Sequence, residues 1–80
     1  MTRDALRDAL QAVPVEKRLA VVFALTGLSQ QEVAARIGMA TPTFSKTVSG
    51  WRQASDKERR AIAKAIGLSV TDLFGEQVAA

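Results

Sequence analysis

The sequence has 80 residues, of which 48% are hydrophobic, and its formal net charge is +3. This length fits one small domain, and the apolar content is sufficient for one compact core. The sequence contains no cysteine and no histidine, which excludes disulfides and thiolate metal sites and removes the commonest general base of enzymes. We therefore expect a protein that is not an enzyme and that has no metal site and no cofactor.

The sequence also gives no sign of membrane insertion or export. The longest apolar run, Leu19–Leu25, is far shorter than the ~18 residues that a membrane span needs. The first ten residues mix charged and apolar side chains, unlike a secretory signal peptide. We therefore expect a cytoplasmic protein with no membrane partner.

Apolar spacing predicts helices only, because no segment alternates with the period of two that is typical of a strand. Thr2 is a candidate N-cap for a first helix that runs to about Ala12. The apolar stripe of this helix consists of Leu6, Leu10 and Val13. A second stripe lies near the other end of the chain and consists of Val70, Leu73, Phe74 and Val78. Each stripe can pack on this domain or on a second subunit, and the sequence leaves both alternatives open.

The second helix is predicted over residues 14–26. Pro14 ends the first helix and is well placed to open the next one, and Gly27 closes it. The residues expected to face inward are Leu19, Val22, Phe23 and Leu25.

Residues 30–49 predict two short helices separated by a glycine. Ser29 and Glu32 have the spacing of a capping box. Gly38 lies where a chain leaving a helix often needs a positive φ. Thr41 is the expected N-cap of the next helix and Pro42 its first helical residue. The expected inward faces are Val33, Ala34 and Ile37 on one helix, and Phe44 and Val48 on the other. This layout is typical of a helix-turn-helix.

Two more helices are predicted after a loop over residues 50–54. Ser55 and Glu58 again have capping-box spacing, and Gly67 ends the fifth helix. Its expected inner stripe is Ile62 and Ile66. Ser69 caps a last short helix that stops at Gly75.

Positive charge is concentrated around the predicted helix-turn-helix. Residues 28–64 contain seven basic and three acidic residues, a net charge of +4, whereas residues 65–80 carry a net charge of −2. This asymmetry is expected of a nucleic-acid-binding surface. An ordinary solvated surface accounts for the charge pattern equally well.

In these features the sequence resembles the Cro and phage-repressor helix-turn-helix family. The matching signature is a small residue, a turn glycine and a bulky apolar residue, here Ala34, Gly38 and Phe44. The resemblance implies an all-α domain of five or six helices of the lambda-repressor-like helix-turn-helix type. It covers about residues 14–75, which leaves residues 1–13 as an N-terminal helical extension and residues 76–80 as a frayed tail.

The resemblance also implies which residues contact double-stranded DNA. Gln30 matches a glutamine that holds a phosphate. The positions that read bases are Thr41, Pro42, Thr43, Ser45 and Lys46. The turn after the second helix, where backbone N–H groups meet phosphate, corresponds to Ser49 and Gly50, and Arg52 matches a basic position there.

The sequence departs from the family pattern at several of these positions. The base-reading positions contain no Gln, Asn or Arg, which makes Lys46 the one strong donor and leaves room for readout of DNA shape. Trp51 stands where the family usually has Lys or Arg, and we expect it to pack at the edge of the core rather than on the DNA backbone. Phe23 and Val48 replace a buried ion pair of many members, and we expect them to be in contact.

The resemblance implies a transcriptional regulator of phage or bacterial type that binds specific DNA sites as a homodimer. With no room for an effector domain, we expect it to repress by occupying its operator, as Cro does, without a small-molecule effector. An antitoxin-type autorepressor is a close variant. The alternative from another class is a helical protein-interaction module on the same fold that does not bind DNA.

Overall fold

A computed structural model describes residues 2–75, and in this range the chain forms six helices and no strand. The all-α fold expected from the apolar spacing is therefore confirmed. The helices are α1 (Arg3–Gln11), α2 (Val15–Thr26), α3 (Gln30–Ile37), α4 (Thr41–Val48), α5 (Asp56–Ile66) and α6 (Val70–Phe74). The expected frayed tail, residues 76–80, lies outside the described residues. None of the six helices is both long and apolar enough to cross a membrane.

Four of the helices have a serine or threonine as the N-cap. The hydroxyl oxygens of these caps accept the N–H of the residue three positions ahead, at donor–acceptor distances of 3.0–3.3 Å. The caps are the predicted Thr2, Ser29, Ser55 and Ser69. At Ser55 the capping box is complete, because the Glu58 carboxylate also accepts the Ser55 N–H at 2.8 Å. These local bonds satisfy backbone donors that the helices leave unpaired at their first turns.

The turn between α3 and α4 depends on Gly38. Its φ of +73° is left-handed, as predicted, and the next residue, Met39, donates its N–H to the Ala34 carbonyl at 2.9 Å. The start of α4 differs from the prediction. Ala40 is the N-cap, Thr41 lies already in the helix without a capping bond, and Pro42 is the second helical residue. Pro42 fits there as well, because none of the first N–H groups of a helix has an intrahelical partner.

One core gathers side chains from all six helices. Among the largest fully buried side chains is one from each of five helices: Leu10, Val22, Phe44, Ile62 and Leu73. Helix α3 adds Ala34, which has no exposed surface where α3 packs on α4 and α5. The small side chain at this position allows the two neighbouring helices to approach closely.

Both terminal helices belong to this core. Leu6 and Leu10 of α1 are buried, and α1 packs on α2 and α6. Leu73 of α6 is buried as well. Polar contacts reinforce this end of the domain, because the Arg18 guanidinium donates to the carbonyls of Val13 at 2.9 Å and Asp72 at 3.2 Å. Within residues 2–75 the buried members of the two stripes, Leu6, Leu10 and Leu73, are therefore covered by this chain, whereas Val78 lies outside the described residues.

The expectation that Leu25 faces inward is wrong, since this side chain is 45% exposed. Leu19, Val22 and Phe23 form the buried face of α2. At about 100° per residue, Leu25 lies roughly 120° around the helix from Leu19 and so falls outside that face.

Replacement of Phe44 by Ala should destabilise the domain by about 3–5 kcal/mol. The substitution removes a buried ring and leaves a cavity that the surrounding side chains fill only in part. The free energy of unfolding from urea titration measures this effect. Since such a loss can unfold so small a domain, Phe44→Leu provides a milder second variant. Leu25→Ala, at an exposed apolar position, serves as the control. A loss at Phe44 no larger than at Leu25 would contradict the buried role of Phe44.

Candidate nucleic-acid interface

The predicted contact residues lie at the start of α3, on α4 and in the loop that follows α4. On α4 the buried side chains are Phe44, Thr47 and Val48. At about 100° per residue, the positions opposite Phe44 are 42, 46 and 49. Those positions carry Pro42, Lys46 and Ser49, and all three are exposed. Burial of one face of α4 therefore sets which side chains face outward.

The remaining predicted contacts flank this face. Thr41 and Gly50 are exposed, whereas the half-buried residues are Gln30, Thr43, Ser45 and Arg52. Gln30 is the first residue of α3, the helix that packs directly on α4. Thr43 and Ser45 lie at the two sides of the outward face, where part of each short side chain is covered.

The charge of Lys46 is not neutralised within the described part of the chain. The ion pairs among residues 2–75 involve Arg7, Arg52 and Arg59, and none includes Lys46. Between Glu32 and Asp56 the sequence contains no acidic residue. The outward face of α4 therefore carries the positive charge of Lys46, and residues 33–55, which include α4, contain no carboxylate.

Arg52 holds the loop after α4 against two helices. Its Nη1 donates to the Thr47 hydroxyl of α4 at 3.2 Å, and its Nη2 donates to the Glu58 carboxylate of α5 at 2.8 Å. The Thr47 hydroxyl donates in turn to the Thr43 carbonyl at 3.1 Å. The sequence predicted Arg52 as a phosphate contact and gave no role to Thr47. The Arg52 guanidinium is engaged within the protein, so the predicted contact of Arg52 with phosphate would have to share these donors.

Glu58 joins this network to the capping box of α5. The hydrogen bond from Arg52 and the bond from the Ser55 N–H lower the pKa of the Glu58 carboxyl from 4.5 to about 2. The carboxylate is therefore charged at neutral pH and fixes the loop end of α5. The capping box could be predicted from the sequence, but the pairing of Glu58 with Arg52 across the loop could not.

The backbone N–H groups at the end of α4 are already used. The N–H groups of Ser49, Gly50 and Trp51 donate to carbonyls of α4 at 2.9–3.3 Å. The expectation that the backbone N–H groups of Ser49 and Gly50 meet phosphate is therefore not supported by their geometry. Helix α4 ends here, and its unpaired carbonyls take these donors. The Ser49 hydroxyl is left as the group with which this residue can contact an anion.

Trp51 lies in solvent, with 86% of its surface exposed. The expectation that its indole packs at the edge of the core is wrong. Ala54 fills the core from this loop instead, with 7% of its surface exposed. Gly50, whose φ is +86°, turns the chain between α4 and Trp51.

Near the start of α5, acidic and backbone groups hold two of the three cations at positions 57, 59 and 60. Arg59 pairs with the Asp56 carboxylate and donates to the Ala54 carbonyl at 2.8 Å. Arg60 donates through Nε to the Asp56 carbonyl at 3.4 Å. Lys57 has no ion pair among residues 2–75. The Asp56 carboxylate is thus the partner of Arg59 within the protein.

Comparisons with protein-family models, curated proteins and solved structures found no match to this chain. The geometry of α3, α4 and the loop after α4 therefore carries the functional argument. In the described part of the chain, no group of three or more acidic side chains is placed to hold a metal ion.

Glu58→Gln should lower the free energy of unfolding at neutral pH by about 1–2 kcal/mol, because it replaces a charge-assisted bond to Arg52 with a neutral one. The pKa of Glu58 is lowered in the folded protein, so its contribution is present above pH 4.5 and is lost as the pH falls toward about 2. The variant should therefore lose less stability than the wild type over this interval. Urea unfolding at a series of pH values measures both effects.

The exposed Glu16, in the first turn of α2, provides the matched control. Glu16→Gln should leave the acid dependence of unfolding close to that of the wild type. An identical acid dependence for wild type and Glu58→Gln would show that the Arg52–Glu58 pair contributes nothing to folding.

Proposed function

We propose that the protein is a sequence-specific transcriptional regulator that binds double-stranded DNA. In this proposal α3 and α4 form a helix-turn-helix of the lambda-repressor-like type, and α4 is the recognition helix. The single observation that carries the proposal is the orientation of α4. Its apolar side chains are buried, and its outward face presents Pro42, Lys46 and Ser49 beside a segment that lacks acidic residues.

The size of α4 supports this proposal. Its 8 residues make about two turns, and an α-helix with its side chains is about 10–12 Å across, which fits the major groove of B-DNA, about 12 Å wide. A short helix with small flanking side chains can enter such a groove closely. Thr43 and Ser45 can then approach base edges, while Lys46 reaches a guanine edge or a phosphate.

Contacts to the DNA backbone would set the position of α4. Gln30 begins α3, where the N-terminus of a helix attracts an anion, and its amide adds a donor. The Ser49 hydroxyl offers a second contact at the other end of α4. Because few side chains on α4 can read bases by paired hydrogen bonds, we expect much of the specificity to come from DNA shape.

Mode of action and assembly are part of the same proposal. A small domain of this kind would repress by occupying its operator, whether in a Cro-like role or as an antitoxin-type autorepressor. A homodimer would place two copies of α4 on neighbouring half-sites. Since Leu6, Leu10 and Leu73 of the two terminal helices are buried within the chain, the dimer interface would lie elsewhere. The exposed apolar side chains left for it include Leu25 and Leu28.

The alternative is a helical protein-interaction module without DNA binding. The small set of base-reading side chains and the exposed Trp51 favour it. DNA binding separates the two functions, because a module that does not bind DNA shows no salt-dependent association with duplex DNA.

Lys46→Ala should weaken DNA binding more than any other single change on α4. If Lys46 contacts a phosphate, affinity should fall on every duplex and the slope of log affinity against log salt should drop by about one unit. If it contacts a guanine edge, the loss should be about 1–3 kcal/mol on the selected site and preference at one base pair should relax. Fluorescence anisotropy with labelled duplexes, selected from random DNA and scrambled, measures both at several salt concentrations.

Lys64 in the last turn of α5 provides a matched cation at the far end of that helix. Lys64→Ala should leave the affinity and the salt slope nearly unchanged. Equal affinities of wild type and Lys46→Ala on both DNAs would show that Lys46 is only a solvated charge and would favour the interaction module.

Sedimentation of the protein with and without its selected duplex tests the dimer. We expect two copies on one site, with half-sites about 34 Å apart, because paired recognition helices occupy successive turns of one DNA face. A single copy on the selected duplex at saturation would contradict the symmetric arrangement.

A further inference from the structure

The strongest unassigned feature of the surface is the indole of Trp51. It is the single tryptophan of a sequence without tyrosine, and its 86% exposure far exceeds that of the other exposed large apolar residues. An indole combines a large apolar face with one N–H donor, and such side chains are enriched where proteins bind partners.

The backbone around Trp51 is held on both sides. Its own N–H donates to the Lys46 carbonyl at 2.9 Å. The next residue, Arg52, is bonded to α4 and α5, and Ala54 is buried. The indole therefore projects from a fixed position at the end of α4, so that little backbone entropy is lost when a partner binds it.

The backbone donors beside Trp51 are already used, and the one cation of this loop, Arg52, is paired with Glu58. The N–H groups of residues 49–51 all donate to α4, so side chains must supply the donors that meet an anion. Ser49 and Gln53 are exposed and polar, and no acidic residue occurs between Glu32 and Asp56. A polyanion with apolar surface of its own fits this combination of indole, hydroxyl and amide.

We propose that Trp51 is a DNA-backbone contact, in which the indole packs on a deoxyribose beside the groove that α4 enters and its Nε1–H donates to a phosphate. This inference rests on the proposed function and adds a residue to it. Contacts to sugar and phosphate do not distinguish bases. Trp51 therefore contributes affinity on all duplexes and positions the recognition helix, while sequence preference comes from elsewhere.

Intrinsic fluorescence tests this directly, because Trp51 is the single source of tryptophan emission. Addition of duplex DNA at low salt should shift the emission to shorter wavelength or quench it, and should protect the indole from acrylamide. Anisotropy with labelled DNA should show that Trp51→Ala weakens binding about tenfold on selected and scrambled duplexes alike, equivalent to about 1.4 kcal/mol. Trp51→Phe, which keeps a ring but has no N–H, should recover part of this loss. Lys64→Ala, at an exposed position in the last turn of α5, should bind as the wild type does.

The outcomes separate this inference from the function on which it rests. If the wild type binds DNA but its emission is unchanged and Trp51→Ala binds equally well, the inference is overturned and the function stands. A loss confined to the selected duplex would overturn it too, since it would assign Trp51 to base readout. If the wild type binds no duplex at any salt concentration, the proposed function fails, and the inference fails with it. Emission that changes with protein concentration alone would place Trp51 in a contact between copies and overturn the DNA contact.

Discussion

The position of α4 depends on the burial of Phe44. Its ring has no exposed surface and meets the ring of Phe23 edge-to-face, with centroids 5.7 Å apart. Such a pair adds about 0.5–1.5 kcal/mol to the stabilisation from burial alone. Because the ring sits in one orientation, it also fixes the rotation of α4 about its axis. Lys46, two residues further, is thereby directed to the opposite side of the helix.

A polar network then fixes the chain beyond α4. The Arg52 guanidinium joins the Thr47 hydroxyl to the Glu58 carboxylate, so one side chain connects α4, the loop and α5. The network has two consequences for the proposed interface. It buries part of the Arg52 side chain, and it holds the loop in a conformation that leaves Trp51 exposed. Packing of the core thus orients α4, the proposed recognition helix, and the network positions the proposed contacts at its end.

Local features of this structure could be predicted from the sequence, whereas features that depend on tertiary neighbours could not. The turn at Gly38 and the cap at Ser55 follow from the chemistry of a few adjacent residues. The inward position of Phe44 follows from helical spacing. The exposure of Trp51 could not be predicted, since it depends on Ala54 filling the core from the same loop. The pairing of Arg52 with its partner on α5 likewise needs the three-dimensional path of the loop. For the candidate site, the sequence predicts which side of α4 is polar, but not which donors the fold already uses.

In the proposed complex, the start of α3, the outward face of α4 and the following loop form one surface that binds duplex DNA. The most direct measurement is a titration of the isotope-labelled protein with a duplex selected from random DNA, followed through its backbone amide resonances. We expect the largest shifts on Gln30, on residues 41–46 and on residues 49–52, and little change in α1 and α6. Shifts concentrated on α1 and α6, or no shifts at low salt, would contradict it.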